Sequence, residues 1–213
     1  MVKAGRTRTA SEGVAEVLRR ASRSGGATLG RLGFAQGENK RPLPGDDVVP
    51  DAQVVRTYSA PVPAPPKDVW PWVVQLGQER GGFYSYARLE NLVGCDITNA
   101  ERVVPEWQQR EVGGEFRLHP DVALRVASVD PGRAFVVTSL GGERGAGMPE
   151  FGFSWAFVVE PAGETSRLVV RERYSAPDAK ARAVIAASRP VAALMTEAML
   201  RGIRSRATRA TRP

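Results

Sequence analysis

Scarcity bounds this chain first. Its 213 residues include one cysteine, Cys95, and one histidine, His119. A lone cysteine excludes an internal disulfide and fits a reducing compartment. One His and one Cys cannot assemble the usual zinc site of several nitrogen and sulfur ligands, and no D-x-D-type loop offers an oxygen-only metal site. GxGxxG after a strand, GxxxxGK[ST] and GxSxG are all missing. No window approaches the ~20 apolar residues of a membrane span. The opening MVKAGRTRTASEG carries charge without an apolar stretch, so no secretory signal is read. The expectation is a cytoplasmic protein with no metal and no cofactor.

What is present suits one domain with tails. The apolar share is 42%, ordinary for a globular chain. The net charge of +7 is unevenly spread: nine Lys/Arg against three Glu over residues 1–45, and five Arg with no acid over residues 201–213. The body between them is therefore acidic. Nucleic-acid binding wants a basic face on a folded scaffold with stacking aromatics nearby. Here aromatics lie in the body and arginines in the tails, so no specific nucleic-acid partner is expected. The tails read either as solvated chain or as weak contacts for RNA, anionic lipid or an acidic partner. Ser11 could cap a three-turn helix in the first tail, and residues 22–45 read as linker. The division expected is a basic flexible tail at 1–45, a domain at 46–207 and a basic tail at 208–213.

Within the body, Val48 to Val62 reads as a strand, with Val54, Arg56, Tyr58 and Ala60 on one face. Pro61, Pro63, Pro65 and Pro66 end it. Pro66 suits a helix start, and Val69, Val73 and Leu76 recur at helical spacing; Pro71 predicts a short or kinked helix, stopped at Gly77. A Gly-Gly pair then leads into Phe83-Tyr84-Ser85-Tyr86. Ser85 could cap a second short helix that sets Tyr86, Leu89 and Val93 on one face, with Glu90 one turn from Tyr86. Nothing basic beside Cys95 would activate its thiol, so it reads as a small apolar residue.

Strands alternate through the middle: Phe116 and Leu118, then Val122, Leu124 and Val126, then Ala134 to Ser139, with a Gly-rich loop expected over residues 140–150. Phe151, Phe153, Trp155, Phe157 and Val159 share one face of the clearest strand. In the next, Leu168, Val170, Glu172 and Tyr174 share a face, and Arg167, Val169, Arg171 and Arg173 share the other. The phase that buries Leu168 and Val170 also takes Glu172 inward. An unpartnered carboxylate in an apolar wall costs several kcal/mol, so this phase predicts a hydrated pocket. The opposite phase would turn Arg171 and Arg173 inward and favour an acidic ligand. Asp178 can cap a short helix to Ala187, after which Ser188 and Pro190 open a last helix. Its stripe is Val191, Leu194, Met195, Ala198, Met199, Gly202 and Ile203, and its two methionines offer an adaptable face.

These segments have an order: strand, P-P-x-x-V-W-P-W helix, sheet with V-G-G-E-F and S-W-A-F-V-V-E-P, R-E-R-Y, then an amphipathic helix. That order resembles the START-like superfamily, also called SRPBCC or Bet v 1-like, which includes polyketide cyclase/dehydrase and lipid-transport members. The resemblance covers about residues 46–207. It implies an α+β helix-grip fold: a curved antiparallel sheet wrapped around a long C-terminal helix, with an internal cavity. It carries over no catalytic residue. It implies a partner, a hydrophobic small molecule such as a lipid, polyketide or isoprenoid. Candidate anchors are Tyr84, Tyr86, Glu90, Glu172 and Tyr174; candidate walls are Phe153, Trp155, Phe157, Met195 and Met199. Two readings stay open. One is a carrier or binding protein; the other is a cyclase- or dehydratase-type enzyme using Glu172 or Tyr174 as acid or base.

Overall fold

The computed structural model describes residues 40–86, 97–143 and 150–210. Its centre is a six-stranded antiparallel sheet built from β1 (Val54–Val62), β2 (Glu115–His119), β3 (Val122–Asp130), β4 (Ala134–Glu143), β5 (Gly152–Ala162) and β6 (Thr165–Ser175). The spatial order is β1-β6-β5-β4-β3-β2, so β2 to β6 form a meander and the first strand pairs with the last. Helix α1 (Pro66–Val74) and helix α2 (Ala179–Ala210) both pack on one face of this sheet. This is the helix-grip arrangement.

Alternation explains the core. Tyr58, Ala60 and Val62 of β1 turn inward with Phe153, Phe157 and Val159 of β5 and Leu168, Val170 and Tyr174 of β6. They meet Val69, Trp72 and Val73 of α1 and Met199, Leu200 and Ile203 of α2. The expected phase of β6 is the one adopted, and Glu172 lies inward at 3% exposure.

Arg171 is nevertheless buried as well, on the opposite face, at 1% exposure. The chain over 41–50 crosses that outer face and covers it. Arg171 Nη1 pairs with Asp46 Oδ2 at 2.7 Å and donates to the Arg41 carbonyl at 2.6 Å; its Nε donates to Thr57 Oγ1. Leu43 packs there against Ala134, Val158 and Val169. Gly45 has φ +87°, and a Cβ on it would stand 2.6 Å from Val136 Cγ1, so only glycine fits this approach. The folded body therefore includes residues read as linker from sequence.

Other boundaries move for identifiable reasons. Strand β1 begins at Val54, because the Val48 N–H bonds the Gly45 carbonyl and the Ala52 N–H the Val49 carbonyl, making consecutive turns. β4 runs to Glu143, past the loop start expected at 140, because it stays paired to β3 (Ala123 with Glu143) after leaving β5 at Thr138–Ser154. Asp178 caps α2 as expected, its Oδ1 accepting from the Ala181 N–H at 2.7 Å. The two helices expected after it are one, with Pro190 inside. Proline removes the bond to the Ala186 carbonyl, and Ala186 is exposed, so that oxygen is not stranded in an apolar core. α2 also corrects the expectation of no span-length segment, since by length and composition it could cross a membrane. Here Thr196, Met199, Leu200, Ile203 and Ala207 are buried in the body, as in a core helix.

Candidate functional site

Register builds the site. Arg56 of β1 lies opposite Glu172 of β6, and Glu172 lies opposite Trp155 of β5. Two residues along, Tyr174 pairs with Phe153, and their ring centroids are 4.8 Å apart. The strands thus set a cation, an acid, a phenol and two aromatic rings on one inner surface.

Helix α2 closes over them. Thr196 Oγ1 donates to Glu172 Oε1 at 3.0 Å, and the Tyr174 hydroxyl donates to Oε2 at 3.0 Å. Arg56 Nη1 stands 3.7 Å from Oε2, an ion-pair distance longer than a hydrogen bond. Its Nη2 donates to the Ile185 carbonyl at 2.9 Å, and the guanidinium lies 4.9 Å from the Tyr174 ring centroid. Arg56 Nη1 itself has no hydrogen-bond partner among the described residues.

Burial pushes the Glu172 carboxyl above its ordinary range, against the pull of Thr196, Tyr174 and the Arg56 charge. Burial also raises the Tyr174 phenol, with the nearby Glu172 charge adding to it. Tyr58 is raised by burial first and by Glu172 second. Burial thus shifts the balance towards the protonated acid, the form that can donate one hydrogen bond while accepting others.

Trp155 is the least buried of the inward aromatics around the acid. It faces inward among Phe83, Phe116, Phe153 and Phe157 yet is only half-buried. Its Nε1 is buried without a partner among the described residues. An orphaned donor costs about 1–3 kcal/mol, and a ligand acceptor would relieve that cost. At the adjoining end of the sheet, a groove of about 500 Å³ opens between the start of β1, the end of β6 and the first turns of α2.

Of the sequence-derived candidates, Phe153, Trp155, Glu172 and Tyr174 come together. Phe157 is fully packed between Phe135 and Trp155, and Met199 is sealed in the core at 1% exposure, so both are packing residues in this structure. Met195 is half-buried on α2. Tyr84 lies apart: its hydroxyl accepts from Gln75 Nε2 at 2.8 Å, its ring meets Trp72 edge-on, and Arg206 lies over it. Tyr86 is 41% exposed and within reach of Arg201. Glu90, Leu89, Val93 and Cys95 lie outside the described residues, as do the first-tail helix and residues 144–149.

Sequence reasoning did not single out Arg56, Tyr58 or Thr196 for the site. Arg56 and Tyr58 had a signal, an inward phase shared with Ala60. Thr196 had a weaker one, a hydroxyl between the apolar turns of α2. Among the described residues, no group of three or more His, Cys, Asp and Glu could hold a metal.

No protein-family model and no curated protein matches the sequence. Solved structures do show likeness. Protein MLL2253 from Mesorhizobium loti aligns at 13% identity and TM-score 0.47, over 75% of this chain and 100% of its own. The polyketide-cyc-like protein Cgl2372 from Corynebacterium glutamicum aligns at 17% and 0.38, over 70% and 88%. A norcoclaurine synthase mutant from Thalictrum flavum, solved with a transition-state analogue, aligns at 14% and 0.42, over 71% and 94%.

Proposed function

We propose that this protein binds a largely apolar small molecule beneath the sheet, as a carrier or binding protein. Phe153 and Trp155 form its wall, and Glu172, Tyr174 and Arg56 hold its polar group. One observation carries the reading: a buried carboxyl on the inner face has donors from β6 and α2 and a cation from β1, beside a half-open tryptophan with an orphaned N–H. A sealed core has no use for that set, whereas a ligand pocket uses apolar walls with a few converging polar groups.

A second reading rests on the same carboxyl. A buried acid whose pKa is raised, set beside a phenol, can protonate or deprotonate a bound substrate, as a cyclase- or dehydratase-type enzyme requires. Native mass spectrometry of gently purified protein should reveal a bound small molecule; a uniformly empty protein would count against both readings. With that molecule in hand, Glu172→Gln separates them. Turnover vanishes if Glu172 is the acid/base, while a binding protein keeps its ligand with weakened affinity.

A further inference from the structure

We propose that the ligand is an amphipathic anion, its apolar part against Phe153 and Trp155 and its carboxylate or phosphate head in the groove lined by Arg56, Arg182 and Arg189. The inference rests on the binding function above and adds the chemical class.

The groove is lined by Gln53, Val54, Val55, Ala176, Ile185 and Ala186 besides the three arginines, with no carboxylate among them. Arg182, Ile185, Ala186 and Arg189 follow helical spacing, which puts both arginines on the α2 face that borders the groove. Both are exposed, and among the described residues no acid pairs with either.

Arg56 supplies an independent observation. Its side chain is 10% exposed, and among the described residues its buried Nη1 has no hydrogen-bond partner. The nearest acid, Glu172, already accepts from Thr196 and Tyr174 and leaves Nη1 beyond hydrogen-bond length. A buried guanidinium N–H without an acceptor is costly, and planar guanidinium groups match carboxylate and phosphate oxygens. Three cations around one cleft with low-dielectric walls also focus a positive field.

A file of contacting side chains joins the groove to the aromatic wall. Arg56 lies over the Tyr174 ring, Tyr174 stacks on Phe153, and Phe153 meets Trp155 at 6.4 Å. Arg56 thus belongs both to the groove and to the file of rings that leads to Trp155.

Calorimetric titration of the full chain with dodecanoate, dodecyl phosphate and dodecanol, all below micelle formation, tests the inference. Either anion should bind at least about tenfold more tightly than the alcohol, and the ratio should shrink with added salt. Whichever anion leads tells carboxylate-headed from phosphate-headed ligands. In the doubly substituted R182Q/R189Q protein the anion-to-alcohol ratio should fall towards one, with its circular dichroism spectrum matching the parent's. Equal affinity for alcohol and anions, or a preference that survives in the double variant, overturns the anionic head and leaves the apolar-binding reading standing. Failure of all three probes to bind overturns both.

Discussion

Glu172 has a price in stability that depends on pH. Its folded carboxyl is raised from the ordinary 4.5, with burial the main cause. Below that value both folded and unfolded chains hold the proton, and the stabilising contribution is fully present. As pH rises past it, the unfolded chain releases the proton first while the native chain retains it. Stability therefore falls until the folded group also ionises. Thermal melts of the parent and Glu172→Gln at about pH 5 and about pH 8 should show this, with the parent losing more stability across the interval than the amide variant. Equal slopes would mean that the carboxyl is not held neutral. The same residue shows why alternation alone leaves such a site incomplete. The period of β6 assigns Glu172 and Tyr174 to the inner face, but Arg56 and Thr196 arrive from positions far away in sequence. Only register and helix docking could place them.

At the scale of elements, α2 depends on one close contact. A Cβ on Gly202 would stand 2.1 Å from the Tyr84 carbonyl oxygen and 2.6 Å from Tyr84 Cβ. Tyr84 has φ 54°, a left-handed conformation rare outside glycine. Its backbone N–H donates to Asn99 Oδ1, and its hydroxyl is bonded to Gln75. The loop is thus pinned on several sides and cannot retreat from the helix. Gly202→Ala should destabilise the fold by about 1–3 kcal/mol, read as a lower midpoint in urea unfolding; an unchanged midpoint would show that helix and loop can separate freely. Sequence placed Gly202 on the apolar stripe of α2, where it is half-buried, but the stripe could not show that backbone meets backbone there. It also split α2 at Pro190, since propensity alone favours a break. The chain continues through because the freed carbonyl belongs to an exposed turn.

At the scale of the whole molecule, the sheet has two buried faces, and the second is covered by a short N-terminal segment. Starting the chain at residue 51 removes Leu43 and Val49 from the outer face and leaves the Arg171 guanidinium without Asp46. Breaking such a pair costs about 3 kcal/mol, and the lost apolar burial adds to it. A chain starting at residue 51 should therefore melt well below one starting at residue 40; coincident melts would mean that the segment is dispensable. Residues 41–45 carry proline, glycine and charge, the composition of a linker, yet they pack on the body. What the sequence determined by itself was the repetitive part: the strand phases, the aromatic stripe of β5, the inward acid of β6, the cap at Asp178 and the amphipathic face of α2. These follow from side-chain periods of two and 3.6, which each segment carries internally. Tertiary structure alone decided which arginine faces the acid, which hydroxyl of α2 bonds it, that Phe157 and Met199 are sealed while Trp155 stays half-open, and that Arg171 has a burial of its own. Those outcomes depend on distances between segments far apart in the chain, and no local period encodes them.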